Sequence, residues 1–186
     1  PLQGGTVVGK FTLVLGGARS GKSAFAEGLV REAEAAGKAP LYVATYERLP
    51  GDGEMALRVE RHRRRRPPSW LTVEEPRKLE EALAGAGAGH IVLVDCLSIW
   101  VSNLLLAEGE AGAEEAVEAG VSAFCRAVRS SPADVVAVSG ETGWGVIPTS
   151  SLGRLYRDLL GLANQEAARH ADEVWLVIAG LPQRLK

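Results

Sequence analysis

The chain has 186 residues, 46% of them hydrophobic, enough for one well-buried core and most simply for one domain. A formal net charge of −2 gives little support to non-specific nucleic-acid binding, so any basic cluster is a local feature suited to a small anion. The two cysteines, Cys96 and Cys125, have neither zinc-site nor redox-pair spacing, and no apolar run or leading segment reads as a membrane span or signal peptide; a cytoplasmic protein is expected.

Residues 1–10 form a short leading segment, and 11–186 read as one unit of alternating strands and helices. "KFTLVLGG" (10–17) is an apolar run ending in glycines, followed by a helix-period stretch over 22–37 that stops at a glycine. Further β-branched apolar runs lie at 39–46, 90–97, 133–140 and 172–180. Helices are expected over 54–65, 76–84, 98–107, 113–130 and 151–170, with "AGAGAGH" (84–90) a loose loop. Strands apolar on both faces, alternating with helices, predict an α/β fold with a mostly parallel central sheet between helical layers.

"GGARSGKS" (16–23) fits G-x-x-x-x-G-K-[ST], follows a predicted strand and opens a predicted helix, the context a P-loop requires. Glycines there let successive backbone N–H groups turn around phosphate oxygens at a helix N-terminus. Lys22 is expected to reach the β and γ phosphates and Ser23 to ligate Mg²⁺. Asp95 ends "IVLVD", where it either holds the same ion or caps the helix that follows. Thr45 and Glu141 end neighbouring predicted strands on the same sheet edge.

"VERHRRRRPP" (59–68) sets His62 among five arginines. As a helix, Arg58, His62 and Arg66 share one face, and the run is either a solvated helix end stopped by Pro67 and Pro68 or a phosphate-handling histidine site. Neighbouring cations disfavour the imidazolium and keep a nucleophilic ring nitrogen. His90 and His170 lack such a setting. "GETGWGVIP" (140–148) offers Glu141 as a metal ligand or base, or is a turn in which Gly143 and Gly145 supply unusual backbone angles before Pro148 starts a helix. Arg154, Arg157 and Asp158 lie close on a helix and read either as i, i+3 or i+4 surface ion pairs or as a corrinoid or phosphate contact, and Trp70, Trp100 and Trp175 read as core or interface.

In order, "GGARSGKS", "LYVAT", "EMALRVERHRRRRPPSWLTVEEP", "VLVDCLSIWVSNLL", "GETGWGVIP" and "LYRDLLGLANQEAARHADEVWLVIAG" resemble the bifunctional adenosylcobinamide kinase / adenosylcobinamide-phosphate guanylyltransferase family of cobalamin biosynthesis. The resemblance implies a P-loop NTPase-like three-layer fold and two reactions. Adenosylcobinamide is phosphorylated with ATP or GTP, and GMP then passes from GTP to that phosphate through a guanylyl-histidine, releasing pyrophosphate. The family's R-x-x-x-H-x-x-x-R-P stretch matches Arg58 to Pro67, making His62 the implied nucleophile. The implied nucleotide contacts are Gly16, Gly17, Ala18, Arg19, Ser20, Gly21, Lys22, Ser23, Thr45, Tyr46, Glu47, Arg63, Arg64, Arg65, Arg66, Glu74 and Asp95, with Mg²⁺ at Ser23 and Asp95. A homotrimer is implied as well, with "LSIWVSNLL" and "LRVERH" as plausible interface surfaces, and Trp144 is the tryptophan placed to meet the corrinoid. A monofunctional P-loop kinase is the alternative, and it leaves the arginine run without a task.

Overall fold

The computed structural model describes residues 8–47 and 66–186. The expected helix over 54–65, with His62, Arg63, Arg64 and Arg65, lies outside the described residues. The elements are β1 (Phe11–Gly16), α1 (Lys22–Ala35), β2 (Ala39–Ala44), β3 (Leu71–Glu74), α2 (Leu79–Leu83), β4 (His90–Asp95), α3 (Leu97–Ser130), β5 (Asp134–Gly140), α4 (Ser151–His170), β6 (Glu173–Ile178) and β7 (Leu181–Arg184).

The strands form one sheet in the order β3-β2-β4-β5-β1-β6-β7, parallel except for the β6–β7 pair. Successive residues of a strand face opposite sides, so the apolar runs serve two cores. Leu13, Leu15, Val92, Val94, Val135 and Ala137 pack with Trp100, Phe124, Leu159 and Leu160 of α3 and α4. Val14, Ile91, Leu93, Val136 and Val138 pack with Ala26 and Val30 of α1 on the other face. Helices on both faces of a parallel sheet make the three-layer α/β fold that the alternation implies. Among the described residues no helix is long and apolar enough to cross a membrane.

Several sequence expectations need correction. β3 and β7 are additional strands, both at sheet edges and largely exposed. The strand expected over 39–46 ends at Ala44, and that over 90–97 ends at Asp95 because α3 begins at Leu97. The two helices expected over 98–107 and 113–130 are both present but adjoin each other within α3, meeting at a kink at Gly109, where φ is 71° and ψ 175°. Pro148 does not start α4: Ser150 caps it, its hydroxyl accepting from Gly153 N at 3.1 Å. Arg154 donates to the carbonyls of Pro148 and Thr149, so of these three residues the ones that pair are Arg157 and Asp158, at 3.3 Å. Of the four tryptophans, Trp70 and Trp100 are buried, while Trp175 is half-buried against Phe25.

Candidate functional site

Pairing register gathers the candidate residues. Gly16 lies opposite Gly140, Ala44 opposite both Asp95 and Glu74, so the P-loop, Asp95, Glu74 and the residues after β2 and β5 converge at the carboxyl edge of the sheet. This is the edge where open parallel sheets bind ligands.

The loop between β1 and α1 owes its shape to two glycines. A side chain at Gly16 would put Cβ 2.4 Å from Ser20 Oγ and 2.6 Å from the Val177 carbonyl oxygen. Gly21 caps α1 at φ 96°, a left-handed angle that disfavours any Cβ. Ser20 Oγ is buried and without a hydrogen-bond partner among the described residues. Lys22 Nζ donates back across the loop to the Gly17 carbonyl at 3.0 Å.

Beside this loop lies a cavity of about 310 Å³, lined by Ala18, Lys22, Ser23, Tyr42, Ala44, Tyr46, Arg66, Glu74, Asp95, Cys96, Ser98, Ile99, Gly140, Glu141, Thr142 and Tyr156. Seven expected site residues therefore share one chamber: Ala18, Lys22, Ser23, Tyr46, Arg66, Glu74 and Asp95. Thr45 does not line it. Its hydroxyl donates to the Cys96 carbonyl at 2.9 Å and accepts from Cys96 N at 2.8 Å, bracing the turn after Asp95 from below. Asn103 holds the same corner, donating to the carbonyls of Thr45 and Pro76. Glu47 pairs with Arg77 at 3.1 Å, outside the cavity lining.

Asp95 does not cap α3 with its side chain. The cap position is Cys96, which makes no side-chain hydrogen bond there, and Asp95 Oδ2 instead accepts from Tyr42 OH at 2.8 Å. Burial, and then the adjacent Asp95 carboxylate, hold the Tyr42 phenol far above its usual range, so it stays protonated and donates. The same two causes push the Cys96 thiol up to about 11, and burial pushes the Tyr156 phenol up to about 12. This part of the wall is accordingly neutral at physiological pH, and the charges facing the cavity belong to Lys22, Arg66, Glu74, Asp95 and Glu141.

Glu141 lines the cavity as well. Its backbone N donates to the Gly16 carbonyl at 3.1 Å, tying it to the P-loop, and its Oε1 accepts from Asn164 Nδ2 at 3.3 Å. Asn164, buried on α4, also donates to the Gly140 carbonyl and accepts from Ser139 Oγ at 2.6 Å. Neither Gly143 nor Gly145 adopts a positive φ, so the unusual backbone angles expected there are absent. Trp144 in this loop is 72% exposed. Tyr42, Ser98, Asn164 and Tyr156 were not singled out as site residues by sequence reasoning. Ser98 Oγ accepts from Gly140 N at 2.6 Å, while the Ser98 carbonyl accepts from Tyr156 OH at 3.1 Å. These links join residues far apart in the chain, which no local motif marks.

Away from the cavity, His90 Nδ1 accepts from Gly87 N at 3.0 Å, and His170 ends α4 with Nε2 3.1 Å from Glu166. Both are accounted for locally. Among the described residues no group of three or more histidine, cysteine, aspartate or glutamate side chains could hold a metal ion by itself.

Comparisons with known proteins show the family. Residues 12–185 match the family described as cobinamide kinase / cobinamide phosphate guanyltransferase. A bifunctional adenosylcobalamin biosynthesis protein, CobP, of Pseudomonas aeruginosa is 42% identical over 175 residues, covering 94% of this chain and 96% of that protein. The bifunctional adenosylcobalamin biosynthesis protein CobU of Escherichia coli is 40% identical over 184 residues, covering 94% and 98%. Among solved structures, the flagellar accessory protein FlaH of Methanocaldococcus jannaschii superposes with TM-score 0.52 at 12% identity, covering 99% of this chain and 81% of that one. The ATPase domain of G40P does so with TM-score 0.51 at 13% identity, covering 90% and 68%. The structural likenesses establish the P-loop fold alone; the sequence match over nearly the whole length establishes that the chain belongs to the cobinamide kinase / cobinamide phosphate guanyltransferase family, bifunctional enzymes of adenosylcobalamin biosynthesis.

Proposed function

We propose that the protein phosphorylates adenosylcobinamide with ATP or GTP, then transfers GMP from GTP to the new phosphate through a guanylyl group on His62. The observation that supports this best is the cavity that Lys22, Ser23, Asp95 and Arg66 line together. Four peptide units span at most about 14 Å, so chemistry at position 62 takes place within reach of Arg66.

In the kinase step the P-loop backbone from Gly16 to Ser23 cradles the phosphate tail, and Lys22 turns from the Gly17 carbonyl to the β and γ phosphates. The corrinoid alcohol attacks the γ-phosphorus, the bond to the bridging oxygen breaks, and the nucleoside diphosphate leaves. In the guanylyl step a ring nitrogen of neutral His62 attacks the α-phosphorus of GTP; an N–P bond forms and pyrophosphate leaves. An oxygen of adenosylcobinamide phosphate then attacks the same phosphorus, the N–P bond breaks, and adenosylcobinamide-GDP forms while His62 is regenerated. Arg63, Arg64, Arg65 and Arg66 neutralise the phosphates throughout.

Mg²⁺ fits the donors present. Ser23 and Asp95 offer hard oxygens in one cavity, and this ion keeps waters and substrate phosphate oxygens in its shell rather than needing an all-protein cage. Once bound, it neutralises charge on the phosphate oxygens. Trp144, exposed beside the cavity-lining Thr142, is assigned to the corrinoid. Cytoplasmic location and a homotrimer complete the proposal.

The test is a two-stage assay with adenosylcobinamide, Mg²⁺ and either ATP or GTP, read by mass spectrometry of the corrinoid. Adenosylcobinamide phosphate is expected with either nucleotide, and adenosylcobinamide-GDP with pyrophosphate only when GTP is supplied. Accumulation of the phosphate alone in the presence of GTP would leave a monofunctional kinase.

A further inference from the structure

Phosphoryl transfer to an alcohol needs a group that takes the hydroxyl proton as the new O–P bond forms, and that base must lie within hydrogen-bond reach of the acceptor. The strand order sets β5 between β4, which ends in Asp95, and β1, which runs into the P-loop. Glu141 follows β5 directly, lines the cavity and is held by three neighbouring elements. Its own N–H donates to the Gly16 carbonyl at 3.1 Å, and the N–H of Gly140 before it donates to Ser98 Oγ on α3 at 2.6 Å. A side chain at Gly140 would put Cβ 2.9 Å from that same oxygen, so the strand end fits its seat closely. From α4, the buried Asn164 donates through Nδ2 to the Gly140 carbonyl at 3.0 Å and to Glu141 Oε1 at 3.3 Å, while Ser139 Oγ donates to Asn164 Oδ1 at 2.6 Å. A carbonyl and a carboxylate only accept, so the amide can meet both with its NH2 end alone. Asp95, the carboxylate one strand further on, already accepts from Tyr42 and sits with Ser23 as an oxygen donor for Mg²⁺.

We propose that Glu141 is the general base of the phosphorylation step and that Asn164 is its positioning residue. This rests on the chain phosphorylating the corrinoid alcohol and is independent of how guanylyl transfer proceeds. As the alcohol oxygen bonds to the γ-phosphorus, its proton passes to Glu141 Oε2. The bond from that phosphorus to the bridging oxygen breaks, the nucleoside diphosphate leaves, and the carboxylic acid returns its proton to water. Asn164 does not line the cavity and acts only through Glu141: by pinning Oε1 it restricts rotation of the carboxylate, which raises the fraction of time that Oε2 is aligned with the acceptor hydroxyl. The loop that begins at Glu141 reaches Trp144 three residues later, so one short segment carries both the base and the residue assigned to the corrinoid.

The test compares Glu141→Gln, Glu141→Ala, Asn164→Ala and the double variant Glu141→Gln/Asn164→Ala with wild type. The measurements are kcat and KM for phosphorylation of adenosylcobinamide with ATP, and the Mg²⁺ concentration that gives half the maximal rate. Glu141→Gln should lower kcat by about 10²-fold or more, the usual contribution of a positioned base, with both KM values and the Mg²⁺ requirement within about threefold of wild type. Added formate, a small carboxylate, should raise the rate of Glu141→Ala by about fivefold or more, and chloride at equal concentration should not. Asn164→Ala should lower kcat by about tenfold with the KM values little changed, and the double variant should be little slower than Glu141→Gln, as expected for two residues acting through one contact. With an active wild type, four results would each overturn the assignment alone. These are a fall of less than about threefold in Glu141→Gln, a Mg²⁺ requirement raised by about tenfold as for a lost metal ligand, no response to formate, or multiplying effects in the double variant. A wild-type protein that leaves adenosylcobinamide unphosphorylated would instead remove the kinase reading on which it stands.

Discussion

Lys22→Ala is expected to slow both reactions by roughly 10²–10³-fold, the cost typical of removing one group that stabilises transition-state charge. The side chain opens α1 at the end of the P-loop, and its ammonium donates to the Gly17 carbonyl at 3.0 Å. In phosphorylation the charge it meets builds on the transferred group. In guanylyl transfer it meets the leaving pyrophosphate. A shared loss is therefore expected, measured as initial rates of cobinamide phosphorylation and of GMP adduct formation. Lys22→Arg should not restore either rate, because a forked planar cation does not occupy the position of a compact ammonium. Melting should stay within about 2 °C of wild type, since no core contact is lost. Loss of only one activity would mean that the two reactions use different phosphate sites.

Trp100→Ala is expected to cost about 3–5 kcal/mol of stability. Trp100 is fully buried on α3, its ring centroid 6.2 Å from that of Phe124, and a Cβ at Gly120 would approach it within 3.1 Å. The substitution also deprives the Arg77 carbonyl of the indole N–H at 2.7 Å. For a chain of this length the melting temperature should fall by roughly 6–20 °C. Trp144→Ala is the matched comparison: at 72% exposure its effect on stability should stay within about 0.5 kcal/mol, whereas it should raise KM for the corrinoid. Comparable melting losses in the two variants would contradict the contrast in burial.

The interior strands were legible because each is apolar on both faces. β1, β4 and β5 leave almost no residue in solvent, a pattern that a parallel sheet between two helical layers requires. The edge strands carried no such signal. Leu71–Glu74 has one half-buried residue, Val73, while Leu181–Arg184 is exposed throughout and contains Pro182, tolerated because an edge strand need not donate on both sides. The two helices expected over 98–107 and 113–130 were legible, and they meet directly at Gly109, whose φ of 71° makes the kink between them.

The P-loop was readable as a local motif because neighbouring backbone groups make the phosphate cradle. Asp95 was readable by its place at a strand end, although its partner was not. Tyr42 lies 53 residues from Asp95 and Asn164 lies 23 residues from Glu141, so only the folded sheet brings each pair together. Thr45 illustrates the converse. The family resemblance implies it as a nucleotide contact, whereas its hydrogen bonds to Cys96 come only from the folded sheet.

The most direct measurement is intact-protein and peptide mass analysis after incubation with Mg²⁺ and GTP, run beside ATP and a His62→Ala variant. The expected result is an acid-labile GMP adduct on the peptide containing His62, formed with GTP, absent with ATP and absent from the variant, with pyrophosphate released in equal amount. An adduct that persists in His62→Ala, or no adduct on any histidine while adenosylcobinamide-GDP is still produced, would contradict guanylyl transfer through His62.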